Sequence, residues 1–390
     1  VAKTTRKKGK SKKGTKYRKE IKLPTKLTWL MYLGDTQGCG TIRCIYPALL
    51  LNHFKMNGVS CNTECLNHFV NDVNFYKEIS FVQFQRSATE HHLNIFKHFK
   101  NMIQKIPNKA PLIYEIDDLL IGIPEWNFAH EYYVHNEKYV KEMMKIADGV
   151  TCSTQPLADI YSEFNKNVVV IPNHLPKFIW GDIYPKHNYY DEKHKSRIFW
   201  GGSQNHFALK KMVDEGLTGG DFGKELMNFI RKTTDKYEWV FMGAMPEELK
   251  NLSKNKIKFV PWAPVFNYPQ TMKAIEPDIC IAPLDKGVFN DCKSNIKSLE
   301  FTACGAPGVY SNVYPYKDMN LKSDNDEEMI SHIEKLAGDI DYRAKIYRKD
   351  SRSVSGQLFW EESGNLKHYI NSYLGLFGSK LPTKMRKRKN

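Results

Sequence analysis

Two doubly wound, Rossmann-like α/β domains facing a cleft are the architecture that this 390-residue sequence predicts. Three observations point there. Short, continuously apolar runs recur and stop at glycine-rich or acidic turns, as strands buried on both faces do. Stretches of helical spacing separate them, which is how parallel strands are connected. The series then restarts after a polar interruption at 177–195. Length alone fits two or three domains. With 41% hydrophobic and 26% charged residues the balance is an ordinary globular one. No apolar stretch approaches the roughly 18 residues of a membrane helix, so a membrane-spanning chain is not expected.

The first strand is expected at 27–33 (LTWLMYL), followed by a turn over 34–40 and a helix with Ile45, Leu49, Leu50 and Phe54 on its apolar face. Further strands are expected at 111–116 (PLIYEI, stopping at Asp117-Asp118), 147–153 and 168–172. The second series comprises 197–200 running into Gly201-Gly202-Ser203, then 239–242, 257–260, 278–283 and 308–311. A closing helix over 359–377 carries Leu366, Tyr369, Ile370, Tyr373 and Leu374 at helical spacing. The expected division is a basic tail (1–26), a first domain (27–176), a connection (177–195), a second domain (196–355), a closing helix (356–379) and a second basic tail (380–390).

Of the formal charge of +15, residues 1–26 contribute +11 and residues 380–390 contribute +6, which leaves the body at −2. Like-charged tails on a neutral body fit a polyanion such as duplex DNA, with Lys7, Lys8, Lys12, Lys13, Arg386, Lys387 and Arg388 on phosphates. Solvated tails or localisation signals are the other reading of the same charge. Tyr17 is the sole aromatic in the first tail, so contact without base readout is expected. Eight scattered cysteines suit a reducing cytoplasm. Cys61, Cys65 and His68 have ligand-like spacing but no fourth ligand nearby, so a structural role is favoured over zinc.

In parallel sheets ligands bind beyond the carboxyl ends of the strands. The candidate loops there are 34–40, Asp117-Asp118, 201–206 and 287–300. The Gly38-Cys39-Gly40 turn allows close approach of a phosphate or sugar, although it lacks the third glycine of a dinucleotide fingerprint. A helix starting near Lys293 would align Lys293, Lys297 and Glu300 on one face, cations for a diphosphate and a carboxylate for a ribose diol. Asp117 or Asp118 is the candidate proton acceptor for a hydroxyl. A metal clamp and a simple turn cap are the competing roles for that pair. His206 contacts a donor phosphate or caps a helix, and Trp262 stacks on a nucleobase or packs at a rim.

The order Glu300, Ala303, Gly305, Pro307 ahead of a strand resembles the nucleotide-binding helix of GT-B glycosyltransferases. So do VVVIPNHL (168–175), the Gly201-Gly202 loop and the closing Phe359-Trp360 helix, which resembles the one that crosses back to the first domain in that fold. GCGTIR (38–43), YEIDDLL (114–120) and SLEFTACGAPGVY (298–310) look most like phage DNA α-glucosyltransferases. The resemblance implies a retaining enzyme of a host-cell cytoplasm that moves a sugar from a UDP donor to hydroxymethylcytosine in DNA. It places Glu300 on the donor ribose, Lys293 and Ser294 near the diphosphate, and Asp117 on the acceptor side. No cofactor beyond the donor is required, and a divalent metal is not indicated. Three departures stand out. Cys292 replaces the first acid of the usual pair, Ser203-Gln204-Asn205-His206 replaces the basic residues after the glycine loop, and Ile116 replaces a histidine. Lys293, Lys297 or Arg43 must then neutralise the leaving diphosphate. A protein, glycan or lipid acceptor, and a non-catalytic DNA-binding chain, remain the alternatives; oligomeric state is not encoded legibly.

Overall fold

The computed structural model describes residues 27–62, 75–106, 110–181, 195–208, 214, 220–250, 252 and 256–377. Both basic tails, with Lys7, Lys8, Lys12, Lys13, Arg386, Lys387 and Arg388, lie outside these residues, as do Cys65, His68 and most of the polar connection.

Six parallel strands form the first sheet: β1 (Thr28–Leu33), β2 (Asn57–Asn62), β3 (Phe81–Gln85), β4 (Leu112–Ile116), β5 (Gly149–Cys152) and β6 (Val168–Val170), in the order β2-β1-β3-β4-β5-β6. Every residue of β1, β3, β4 and β5 is buried, because helices cover both faces. On one face the Glu90–Gln104 helix inserts Leu93, Phe96 and Phe99, and the His130–Ile146 helix inserts Val140, Met143 and Met144. The second sheet comprises β7 (Arg197–Gly202), β8 (Glu238–Gly243), β9 (Lys258–Val260), β10 (Ile279–Ala282), β11 (Gly308–Ser311) and β12 (Lys322–Ser323). Its order is β12-β11-β10-β7-β8-β9, again parallel. The two doubly wound sheets are the expected fold class. Strands β2, β3 and β12 were not among the expected elements.

Chain order reverses direction between β1 and β3 in the first sheet and between β7 and β10 in the second. Loops leaving the carboxyl ends of strands at such a switch point part to opposite sides and open a crevice. The fold thus supplies two crevices, and they face each other.

The closing helix runs over Asn365–Phe377, later than expected, and Phe359 and Trp360 precede it. Phe359 bridges to Leu175, after which the helix lies on the first sheet. Leu366, Tyr369, Ile370, Tyr373 and Leu374 pack there with Trp29 and Phe81, and Trp29 stacks on Phe81 at 4.5 Å between centroids. At about 1.5–3 kcal/mol per buried large apolar side chain, this contact holds the chain's end to its beginning.

The helix after β1 corrects one expectation. It spans Tyr46–His53 and buries Tyr46, Ala48, Leu50 and Leu51, whereas Leu49 and Phe54 are exposed. A π-helical turn, Thr41–Ile45, precedes it. Single exposed apolar side chains are common on folded surfaces, so Leu49 and Phe54 need not belong to the buried face although they stand at helical spacing from Ile45 and Leu50.

Candidate functional site

The loops at the two switch points enclose a cleft of about 490 Å³. Its N-terminal wall is built by Asp35, Gly38 and Cys39 after β1, Arg86 after β3, and Asp117 and Asp118 after β4. Its C-terminal wall is built by Gly201, Gly202, Ser203 and His206 after β7, Trp262 after β9, and Lys293, Ser294, Lys297 and Glu300 after β10.

Arg86 organises the N-terminal wall. Its Nη1 lies 3.4 Å from Asp117 Oδ1 and its Nη2 lies 3.6 Å from Asp118 Oδ2. Nε donates to Tyr133 Oη at 3.1 Å, and Nη1 also donates to Cys39 Sγ at 3.1 Å. The Arg86 backbone is left-handed, with φ of 53°, a conformation that costs a non-glycine residue energy and is kept where surrounding contacts demand it. One guanidinium between two carboxylates leaves this wall with a negative balance. Burial pushes the Cys39 thiol well up, so it stays protonated.

Two residues expected to touch a ligand do other work. Gly40 does not line the cleft: a Cβ there would sit 1.8 Å from the Asp35 carbonyl oxygen, and its N–H donates to Asp35 Oδ1. It closes the turn that presents Gly38 and Cys39. Arg43 is 5% exposed, with Nε donating to Glu115 Oε1 at 2.7 Å and Nη1 to the Ile171 carbonyl and Asn173 Oδ1. Its charge is committed inside the first lobe, so it cannot neutralise a diphosphate. Burial opposes charge on Glu115 and pushes it up to about 7, and the guanidinium works against that rise. Asn173 donates in turn to Ser294 Oγ at 2.9 Å, so Arg43 braces the opposite wall at one remove.

On the C-terminal wall the helix begins at Ile296, not at Lys293. Lys293 stands in the turn before it with its ammonium over the Phe289 ring, 4.7 Å from the centroid. Lys297 and Glu300 lie one turn apart on the helix. Lys297 Nζ donates to the Gly201 carbonyl and lies over Trp200. Burial lowers its proton affinity. Glu300 Oε2 accepts from Tyr268 Oη at 3.1 Å, and burial pushes its carboxyl up to about 7 against the pull of Lys297. Trp262 is 46% exposed and packs over Gly243, whose φ is 87° and where a Cβ would lie 2.4 Å from the indole. Only glycine suits that position, and it keeps the indole face at the rim.

The substitution at Cys292 has a structural reason. Phe289 and Cys292 are buried in the core of the first lobe, and the Cys292 carbonyl accepts from Thr154 Oγ1 at 2.9 Å. A carboxylate at this position would be in a hydrophobic core, not in the cleft. Arg86, Tyr268, Asn173 and Asp221 were missed by sequence reasoning. Tyr268 and Asp221 depend on pairings with partners 32 and 15 residues away. Among the described residues no group of three or more His, Cys, Asp and Glu is placed to hold a metal ion, and no helix is long and apolar enough to cross a membrane.

No protein-family model and no curated protein sequence matches the chain. Solved structures do. The chain is similar to an alpha-glucosyltransferase in complex with UDP-glucose and DNA containing an abasic site, with a TM-score of 0.60 and 11% identity over 89% of this chain and 99% of that one. It is similar as well to an alpha-glucosyltransferase in complex with UDP and a 13-mer DNA containing an HMU base, with a TM-score of 0.59 and 10% identity over the same shares. A complex with UDP alone gives 0.54 and 11% over the same shares. At these identities the likeness establishes the fold, that of GT-B glycosyltransferases.

Proposed function

We propose that this chain is a glycosyltransferase that moves a sugar from a UDP-sugar to a hydroxymethylated base in DNA, with retention at the anomeric carbon. One observation carries the reading: the walls of the cleft have opposite charge balances, two lysines with one carboxylate facing three carboxylates with one arginine. A nucleotide-sugar donor is anionic at its diphosphate, and its sugar becomes cationic in the transition state. The charge division suits both ends of such a molecule. The fold shared with alpha-glucosyltransferases bound to UDP-glucose and to DNA supports the same donor and acceptor classes.

Departure of the diphosphate places the bonding electron pair on a phosphate oxygen. Lys293, Lys297 and Ser294, which line the C-terminal wall, stabilise that charge. Glu300 accepts the ribose hydroxyls, and Trp262 offers a stacking face to the base. Across the cleft, Asp117 orients the acceptor hydroxymethyl and takes up its proton as the oxygen bonds to the anomeric carbon, while Arg86 fixes the carboxylate pair. A base in a duplex must leave the stack to enter, at a cost of a few kcal/mol. The +11 and +6 tails offset that cost through phosphate contacts.

The test is incubation of the full chain with DNA containing 5-hydroxymethylcytosine or 5-hydroxymethyluracil and a panel of nucleotide sugars, followed by nucleoside mass spectrometry. A hexose mass on the modified nucleoside, with UDP released in equal amount, is the expected result. Donor turnover without any nucleoside product would reject the DNA acceptor.

A further inference from the structure

The basic side chains that the resemblance implies after the first glycine loop of the second sheet are absent, and His206 stands at the end of that loop. We infer that His206 takes up a proton when the donor binds, so that an imidazolium held by Asp221 contacts the diphosphate. The inference rests on the proposed donor site and deepens it.

The geometry is that of a fixed acid–base pair. Asp221 is 4% exposed. Its Oδ1 is committed to the Asp285 backbone N–H at 2.9 Å and to Asn290 Nδ2 at 2.8 Å. Its Oδ2 accepts from His206 Nδ1 at 2.6 Å. A carboxylate accepts only, so Nδ1 carries the hydrogen and Nε2 is the atom left for a ligand. His206 lines the cleft beside Lys293 and Lys297, and no partner for Nε2 is found among the described residues. The ring is held edge-on to Trp200, with centroids 5.5 Å apart, and lies against Gly202, where a Cβ would approach Cδ2 to 3.0 Å. Three sides of the imidazole are set before any ligand arrives.

The charged groups facing His206 are Asp221, Lys293 and Lys297. Asp221 favours the imidazolium. Burial, the largest influence, and the two lysines oppose it, and together they hold the imidazole below its ordinary proton affinity. Asp221 stays ionised, its affinity lowered by the His206 hydrogen bond against the cost of burial. A diphosphate in the cleft reverses the balance: it offsets the lysine charge and offers an oxygen to Nε2–H. Binding then draws a proton to His206. Asp221 is the positioning residue, fixing the tautomer and stabilising the cation.

UDP-glucose is a suitable probe because its diphosphate has no proton that titrates near neutrality. Isothermal titration of the full chain at pH 7.5 in two buffers of different ionisation heat counts the protons exchanged. Glu300 releases protons when the ribose bonds it, so the difference between chains is the readout. The unaltered chain is expected to take up as much as about one proton more than His206→Gln, with Asp221→Asn in between. Identical proton exchange in the unaltered chain and a folded His206→Gln variant would overturn the inference while leaving donor binding intact. Absence of UDP-glucose binding to the unaltered chain would overturn the donor reading and the inference together. Histidine ring ¹⁵N shifts of the unaltered chain provide a measurement independent of any variant's folding. One imidazole is expected to pass from neutral to cationic on saturation with UDP-glucose, and no such change would equally overturn the inference.

Discussion

The two walls of the cleft are made by the same device, loops at the switch point of a parallel sheet, yet they are charged in opposite senses. On the N-terminal wall Arg86 is shared by Asp117 and Asp118. On the C-terminal wall Lys293 and Lys297 stand with the single acid Glu300, whose carboxyl burial pushes up to about 7. The contrast teaches that the fold supplies only a place, and that side chains decide which end of a ligand each wall holds. One wall suits a leaving anion, the other a hydroxyl and a developing cation.

Single substitutions separate the walls, and the largest effect belongs to the acceptor side. Asp117→Asn is expected to lower kcat for transfer by about 10²–10⁴ while donor KM stays within a few-fold. Next comes Lys297→Met, where kcat falls by about 10²–10³ because the charge that steadies the leaving diphosphate is gone. Glu300→Gln is expected to raise donor KM by about tenfold or more, since ribose hydroxyls lose a charged acceptor. Its pH dependence has a definite sign. On the proposed donor reading Glu300 must be ionised to serve the ribose, so its contribution to donor affinity rises with pH through about 7. That rise runs against the fall that proton uptake by His206 brings, and the difference between the unaltered chain and the Gln variant isolates it. Steady-state kinetics across pH 5.5–8.5 checks all three.

Arg43 sharpens the comparison from inside the first lobe. Its ion pair with Glu115 is buried on both sides, at 3% and 1% side-chain exposure. Arg43→Met leaves a buried carboxylate without its partner and is expected to destabilise the fold by about 3–5 kcal/mol, read as a drop in denaturant midpoint. A direct diphosphate ligand would instead change donor KM with stability intact.

Much of this fold was legible because β1, β4 and β10 are buried on both faces and read as unbroken apolar runs. Strand β3 was not, because FVQFQ places Gln83 and Gln85 in the core. Gln83 accepts from Tyr373, 290 residues away, and Gln85 Oε1 accepts from the Gly34 N–H. Missing β3 meant missing Arg86, which follows it. Lys297 and Glu300 were legible as neighbours from helical spacing, whereas Lys293 reaches the cleft from the turn before the helix. Arg43 was misassigned because its partner Glu115 is 72 residues distant and only the folded sheet joins them. Asp221 carries no local signal and acquires meaning only when β7 delivers His206 beside it.

The division of labour between the walls is tested most directly by titrating UDP-glucose into Asp117→Asn and Glu300→Gln side by side with the unaltered chain. Donor affinity is expected to be preserved in Asp117→Asn and weakened about tenfold or more in Glu300→Gln. The reverse pattern, or equal loss in both, would contradict a cleft with a donor wall and an acceptor wall.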